Sequence, residues 1–184
     1  MKKFLAMFDL DGTLFDTTAV NFRAYKEALN VYGFELDWKY FLSHCDGRHY
    51  TDFLPEIMGG KMYLDEVHSK KKELYKNNLG AARENIHLFN IIKLIKEKYY
   101  TAVVTTASRQ NAMDILSYFH RGELFDAIIT QEDTIKTKPD PEGYLLAMQR
   151  FAIKPESAII FEDSPIGIKA AQATGASVFV VNKF

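Results

Sequence analysis

Five short apolar runs along the chain predict buried β-strands. They are rich in Val, Ile and Phe, and most lack a clean alternation of apolar and polar residues. That pattern is typical of parallel strands covered on both faces. The predicted strands are Phe4–Phe8, Ala102–Thr105, Ala127–Thr130, Ala158–Phe161 and Val178–Val181.

Between these runs the apolar residues recur with helical spacing. Two stripes at i, i+3, i+4 and i+7 are Leu88, Ile91, Ile92 and Ile95, and Ala112, Ile115, Leu116 and Phe119. Start and stop signals flank two further helices. Asp140 and Ser164 are predicted N-caps, each followed by a proline at the first helical position, and Gly175 is a predicted stop. Strand and helix thus alternate from about residue 84 onward, which predicts a doubly wound α/β domain.

The stretch after the first predicted strand breaks this alternation. About seventy residues contain no convincing strand, but they carry three helical stripes. These are Phe22, Tyr25, Leu29 and Tyr32, ended by Gly33; Trp38, Phe41, Leu42 and Cys45; and Leu64, Val67, Lys71, Leu74 and Asn78. We therefore predict an α/β core (1–15 and 85–184) with an all-helical cap (16–84), placed over the carboxyl ends of the strands, where open α/β sheets bind ligands.

Composition narrows the class of protein. The 184 residues carry a formal net charge of −1, which gives no electrostatic reason to bind nucleic acid or an acidic membrane. A single cysteine excludes an internal disulfide and a multi-cysteine zinc site. Asp9 and Asp11 interrupt the first apolar run too early for a signal peptide, and no later run has the length of a membrane span. We expect a cytoplasmic soluble protein, monomeric or weakly dimeric.

The strongest local signal follows the first predicted strand. Asp9 and Asp11 stand two residues apart, so on an extended segment their carboxylates face the same way. Gly12 then allows a sharp turn that presents backbone N–H groups. An ordinary Asp-Gly turn is the simpler interpretation of this segment taken alone.

Other polar residues fall at the ends of the later strands. Thr105 and Thr106 close the second strand, Lys138 lies in the loop after the third, and Glu162 and Asp163 close the fourth. Each has an ordinary structural explanation. Together they converge, because the carboxyl ends of parallel strands meet at one edge of the sheet.

These segments resemble the four motifs of the haloacid dehalogenase superfamily. The matching segments are DLDGT, the strand-ending threonine, the lysine of KPDP, and FEDSPIGIKAAQATGA. The most similar branch is that of the β-phosphoglucomutase-like phosphatases, whose cap is a helical insertion after the first motif. The resemblance spans nearly the whole chain and implies a Rossmann-like core.

The resemblance also implies roles for the residues that match the motifs. Asp9 would be the nucleophile that forms an aspartyl-phosphate, and Asp11 the general acid and base. Thr105 would hold the phosphoryl oxygens, with the adjacent Thr106 as the alternative for that position. Lys138 would neutralise charge at the nucleophile. Dehalogenases and phosphonatases of the superfamily lack an acid at the position of Asp11, so this residue indicates phosphate-ester chemistry.

Magnesium and substrate contacts follow from the same resemblance. The implied metal site consists of Asp9, Asp11, Asp163 and Glu162, and hard carboxylate oxygens are the ligands that Mg²⁺ prefers. The implied substrate-binding residues are Gly12, Thr13, Thr106 and Arg48, and the pattern of the third helical stripe adds Lys71 as a candidate. Arg48 belongs to an Asp-Gly-Arg segment similar to a cap loop of relatives, and Lys71 interrupts an otherwise apolar helical stripe. Both also have the simpler interpretation of solvated surface residues.

We therefore expect a Mg²⁺-dependent phosphatase that acts on a small phosphate ester, such as a sugar or polyol phosphate. A β-phosphoglucomutase-like mutase is the alternative, but this chain has Asn21 where mutases of the branch carry a histidine. A non-catalytic binding domain would be expected to lack some of the motif residues, and Asp9, Asp11, Lys138 and Asp163 are all present.

Overall fold

The computed structural model describes residues 2–182 and 184, and its central feature is a five-stranded parallel sheet. The strands of the described residues are β1 (Phe4–Phe8), β2 (Phe15–Asp16), β3 (Arg83–Glu84), β4 (Tyr99–Val104), β5 (Ala127–Ile129), β6 (Ala158–Glu162) and β7 (Ser177–Val180). The order in the sheet is β5-β4-β1-β6-β7, with every pairing parallel. All five predicted strands are present. The bounds of β1 are as predicted, and each of the other four has at least one end shifted by one to three residues.

Both faces of the central strand β1 are buried. Leu5 and Met7 belong to a core cluster on one face, while Ala6 and Phe8 point to the other face and are equally inaccessible. Phe8 stacks on Phe161 of the neighbouring strand with ring centroids 4.8 Å apart. Burial on both faces explains why the strand sequences show no alternation of apolar and polar residues.

Helices cover this sheet and confirm the doubly wound α/β class. They are α5 (Ile86–Ile95), α6 (Arg109–Tyr118), α7 (Glu142–Phe151) and α8 (Pro165–Ala173). Tyr144 and Met148 of α7 and Ala170 of α8 pack in the same cluster as Leu5 and Met7. Large and small apolar side chains thus interdigitate on this face of the sheet.

The predicted helix signals match the structure with one correction. The Ser164 hydroxyl accepts a hydrogen bond from the Gly167 N–H at the start of α8, and Gly175 follows that helix with φ +79°. Asp140 is not the N-cap of α7, because the helix begins one residue later, with Pro141 at the cap position. The Asp140 carboxylate still accepts from the Glu142 N–H, so it acts on the same helix start.

A two-stranded antiparallel ribbon lies where no strand was predicted. Strands β2 and β3 pair Phe15 with Glu84 and Asp16 with Arg83, and an Asp16–Arg83 ion pair of 2.6 Å joins them. Each strand has only two residues, too few for any periodicity to be seen in the sequence. The ribbon brings together the two points where the chain leaves and re-enters the α/β unit.

Residues Thr17–Ala82 form a second compact unit, and the other unit contains the residues up to Asp16 and from Arg83 onward. The helical unit contains α1 (Thr18–Val31), α2 (Trp38–His44), α3 (Tyr50–Met58) and α4 (Leu64–Tyr75). The predicted stripes correspond to α1, α2 and α4, whereas α3 was missed because Pro55 lies inside it. Among the described residues, no helix combines the length and hydrophobicity that crossing a bilayer requires.

His68 gives this helical unit a specific acid sensitivity. Its ring stacks on Tyr50 with centroids 3.6 Å apart, and its Nδ1 is buried without a hydrogen-bond partner. Burial, together with the charges of Lys72, Lys71 and His49, lowers the pKa of His68 to about 4. Folding therefore favours the neutral ring.

We expect His68→Phe to remove part of the acid sensitivity of the fold. The stabilisation from the neutral ring is complete above the ordinary histidine pKa near 6.5 and is lost as pH falls through about 4. We expect a difference of about 1–2 kcal/mol, since the ring is partly solvated. Urea unfolding of wild type and variant at pH 7.5 and 4.0 measures it. Equal pH dependence of the two proteins would contradict the assignment.

Candidate active site

Asp9 lies at the carboxyl end of the central strand, directly after β1. Its backbone N–H donates to the Phe161 carbonyl at 3.0 Å, which fixes the residue against strand β6. The chain then turns, with the Leu10 carbonyl accepting from the N–H groups of Leu14 and Phe15. Asp9 itself is only 7% exposed.

Gly12 is the residue that makes this turn possible. It has φ +91°, a conformation that favours glycine, and a Cβ placed there would lie 2.1 Å from the Asp163 carboxylate. The glycine of the first motif therefore allows the loop after β1 to approach the residue that follows β6.

Lys138 joins three of the strand ends. Its Nζ donates to Asp9 Oδ1 at 2.6 Å, to Glu162 Oε1 at 2.7 Å and to the Val104 carbonyl at 3.1 Å. The same ammonium lies 5.0 Å from the ring centroid of Tyr144. All three hydrogen bonds of the ammonium are used, so the lysine is held in one geometry.

Glu162 is fully buried and its carboxylate is satisfied within the protein. Oε1 accepts from Lys138 and from the Tyr144 hydroxyl at 3.3 Å, and Oε2 accepts from the Ser164 N–H at 2.8 Å and its hydroxyl at 3.1 Å. Gly167 lies against this carboxylate, because a Cβ there would stand 1.6 Å from Oε1. Four donors for one carboxylate indicate that Glu162 orients Lys138.

Asp163 follows Glu162 and completes an acidic cluster. Carboxylate oxygens of Asp9, Glu162 and Asp163 all lie within 4.8 Å of one another. The Thr13 hydroxyl donates to Asp163 Oδ1 at 2.8 Å, and Thr13 is fully buried. The Thr13 side chain thus holds Asp163 in place, and the substrate contact predicted for Thr13 stays a prediction.

Burial shapes the ionisation of the cluster. Burial raises the pKa of Asp9 well above its ordinary value, which Lys138 opposes and the charge of Glu162 reinforces. Burial likewise raises the pKa of Asp163 to about 6, although the Thr13 hydroxyl acts in the opposite direction. Burial disfavours the charged form of Lys138, but Asp9, Tyr144 and Glu162 together more than offset this effect, so the pKa of that ammonium is raised.

The cluster fits a hard divalent cation. Three carboxylates face one ammonium, so negative charge is in excess, and two of the acids have raised pKa values. A divalent cation would offset the excess charge, and oxygen ligands of this kind suit Mg²⁺. Glu162 already accepts four hydrogen bonds, which leaves Asp9 and Asp163 as the carboxylates best placed to bind it.

Of the two candidate threonines, Thr105 lies deeper in the site. Thr105 follows β4, is 6% exposed and accepts a hydrogen bond from the Ala107 N–H at 3.0 Å. Thr106 is exposed. Both line a small cavity of about 20 Å³ that also contacts Lys138 and Tyr144.

Asp11 lies in the turn that follows β1. Strand β1 ends at Phe8, so the alternation of an extended strand does not by itself fix the direction of the Asp11 side chain. Its charge is close enough to contribute to the raised pKa of Asp9. The structure therefore places Asp11 beside the cluster, and its role as acid and base stays a prediction.

The two remaining residues predicted to bind substrate lie in the helical unit. The Arg48 guanidinium pairs with both carboxylate oxygens of Glu56, at 2.7 and 3.1 Å, and donates to the His44 and Asp52 carbonyls. Lys71 is 8% exposed, and its ammonium lies about 5 Å from the ring centroids of Tyr25 and Tyr75. Arg48 is therefore exposed but ion-paired, whereas Lys71 is buried.

Two residues of α7 complete the surroundings of Lys138 and were not predicted from the sequence. Tyr144 contacts both Lys138 and Glu162, yet in the sequence it is only one member of an apolar helical stripe. The Glu142 carboxylate binds the loop that leads to Lys138. In the sequence, the signal that could have linked Glu142 and Tyr144 to the site is their short spacing from Lys138.

Comparison with known proteins agrees with this geometry. A family profile described as haloacid dehalogenase-like hydrolase matches residues 6–181. The chain belongs to this family of hydrolases, and within it the chain is an enzyme of the phosphatase type.

Individual relatives are similar over most of the chain. A phosphorylated carbohydrates phosphatase of Thermotoga maritima is 30% identical, with 92% of this chain and 80% of the relative covered. A fructose-1-phosphate phosphatase of Escherichia coli is 27% identical, with 92% and 91% covered. The crystal structure of CbbY from Rhodobacter sphaeroides with phosphate has a TM-score of 0.85, 24% identity, and covers 100% of this chain and 88% of that one. At that identity the likeness shows the fold.

Proposed function

We propose that the protein is a Mg²⁺-dependent phosphatase of small phosphorylated metabolites, with sugar or polyol phosphates as the substrate class. The observation that carries the proposal is the contact between Lys138 and the buried Asp9, beside an acidic cluster at the carboxyl ends of the strands. The names of the two curated relatives indicate phosphorylated carbohydrates and fructose 1-phosphate as their substrates.

Each residue of the site has its own role in the proposed reaction. Asp9 is the nucleophile that attacks phosphorus, so that the phosphoryl group is transferred to its carboxylate and the sugar oxygen leaves. Asp11 donates a proton to that leaving oxygen and then accepts one from the water that hydrolyses the aspartyl-phosphate. Lys138 neutralises charge at the nucleophile and Thr105 holds the phosphoryl oxygens, since phosphoryl transfer depends chiefly on positioning and charge stabilisation. Asp9 and Asp163 would hold Mg²⁺, which would supply positive charge to offset the negative charge of the nucleophile and the substrate phosphate.

A panel of phosphate esters tests this assignment. Purified protein with Mg²⁺ is offered hexose phosphates, pentose phosphates, polyol phosphates, nucleotides and pyrophosphate, and released phosphate is measured. We expect the highest kcat/KM among the sugar and polyol phosphates. Interconversion of hexose phosphates without release of phosphate would favour a mutase, whereas preference for pyrophosphate or nucleotides would refute the substrate class.

We expect Arg48→Ala to lower activity on a sugar phosphate by about 10-fold and to change activity on p-nitrophenyl phosphate little. The reason is that contacts away from the reacting phosphate help to position a substrate, and a small ester makes few of them. Glu56→Gln is the matched control, since it weakens the same ion pair but keeps the arginine. Equal losses on both esters, or equal effects of the two variants, would mean that Arg48 serves the fold of the helical unit.

A further inference from the structure

The loop that carries Lys138 is poorly held by packing. Residues 131–133 and 135–137 are exposed, and Ile135 has 94% of its surface accessible. The Lys138 side chain is nevertheless 7% exposed and makes three hydrogen bonds deep in the site. Something other than burial must therefore fix the backbone from which this lysine projects.

Glu142 provides that restraint. Its Oε1 accepts from the Ile135 N–H at 2.9 Å and its Oε2 accepts from the Lys136 N–H at 2.8 Å. The carboxylate thus binds two consecutive backbone amides, two and three residues before Lys138. Hydrogen bonds to a charged acceptor are roughly twice as strong as those between neutral groups, and two acceptors also fix orientation.

The helix that supplies Glu142 is itself tied to the site. Glu142 is the first residue of α7, and Tyr144 of the same turn contacts the Lys138 ammonium and Glu162. Tyr144 is 1% exposed and packs in the core below the sheet. One rigid helix therefore contacts the loop backbone through Glu142 and the lysine head through Tyr144.

We propose that Glu142 is a positioning residue for phosphoryl transfer, acting through the loop 135–138 on the placement of Lys138. The inference rests on the proposed phosphatase function. A displacement of about 1 Å in a catalytic group can cost about 100-fold in rate. Loss of the two hydrogen bonds from the Ile135 and Lys136 N–H groups to the Glu142 carboxylate therefore lowers turnover, although the Glu142 side chain bonds to the loop and not to Asp9.

Glu142→Gln is the informative variant. It keeps the shape of the side chain and one acceptor, but turns an NH₂ group towards one of the two backbone N–H groups. We expect kcat to fall by about 10- to 100-fold with little change in KM. Asp126→Asn is the matched control, because Asp126 accepts from the Thr101 N–H at the amino ends of β4 and β5, away from the site. Its kcat stays near that of wild type.

A double-mutant cycle separates positioning from a general effect on folding. Lys138→Met alone is expected to lose about 10²- to 10³-fold in kcat/KM. If Glu142 acts through Lys138, adding Glu142→Gln to that variant lowers the rate less than about 3-fold further, because effects within one unit are not additive. Lys138→Gln replaces Lys138→Met in the cycle if the latter does not fold. All rates are taken well below the unfolding midpoint of each variant.

The positioning role would be overturned if the rate loss of the double variant equalled the product of the two single losses, or if Glu142→Gln kept the kcat of wild type. Either result would leave the phosphatase assignment intact. An inactive wild type would overturn the phosphatase assignment and this inference together. Faster hydrogen exchange of the Ile135 and Lys136 amides in Glu142→Gln, and not in Asp126→Asn, is the expected structural signature.

Discussion

The Asp9→Asn variant should retain its fold and lose phosphatase activity by on the order of 10⁴-fold or more, as expected when a nucleophile is removed. The amide has nearly the same shape as the carboxylate, and the backbone hydrogen bond from residue 9 to the Phe161 carbonyl does not involve the side chain. An amide cannot form the acyl phosphate. Phosphate release from a sugar phosphate and from p-nitrophenyl phosphate should therefore fall together.

The same variant makes a prediction about stability. Burial raises the pKa of Asp9, so folding disfavours the ionised carboxylate relative to one in water, although Lys138 opposes this effect. A neutral side chain at this position relieves repulsion with Glu162, and the unfolding midpoint measured without Mg²⁺ should be equal to or higher than that of wild type. Asp126→Asn makes the same chemical change at the other end of the sheet and should lose stability, because Asp126 accepts from Lys2 and Thr101.

Substantial turnover by folded Asp9→Asn would refute the covalent mechanism.

Sequence patterns predicted the elements whose physical signals are local. The buried runs gave the five strands because strands covered on both faces need apolar residues throughout. Ser164 and Gly175 marked the ends of α8 because a cap hydroxyl and a left-handed residue are requirements of the helix ends themselves. Asp9 and Gly12 stood out for the same reason, since a carboxylate beside an obligatory turn is visible along the chain.

Features that depend on distant partners were not visible. Thr13 matched a motif expected to bind substrate, but its hydroxyl donates to Asp163, 150 residues away. Tyr144 fitted an apolar stripe, and only the folded chain shows that its hydroxyl reaches Glu162. The ribbon of β2 and β3 is too short for periodicity, and Pro55 concealed α3 because a proline ordinarily ends a helix. Such residues are identified by their contacts.

Removal of divalent cations should reduce activity to background. The site holds three carboxylates, those of Asp9, Glu162 and Asp163, and the Lys138 ammonium bonds to the first two. A substrate phosphate adds further negative charge. Without a cation the nucleophile and the phosphate repel each other. Dialysis against a chelator followed by an assay of phosphate release measures the loss, and excess Mg²⁺ should restore activity. Full activity in excess chelator would exclude the proposed metal requirement.

The thermal response to Mg²⁺ distinguishes the roles of Glu162 and Asp163, the two acids at the end of β6, without any assay of activity. A ligand that binds only the folded state at 100 times its dissociation constant stabilises by about 2.7 kcal/mol, so wild type should show a raised unfolding midpoint in Mg²⁺. Asp163→Asn should abolish most of that shift, because the variant loses a carboxylate that has room for the cation. Glu162→Gln should behave differently. Its side chain accepts four hydrogen bonds, so the variant should unfold at a lower temperature without Mg²⁺ while keeping much of the Mg²⁺-induced shift. The opposite pattern, with the shift lost in Glu162→Gln and kept in Asp163→Asn, would assign the metal to Glu162 and leave Asp163 with the structural role.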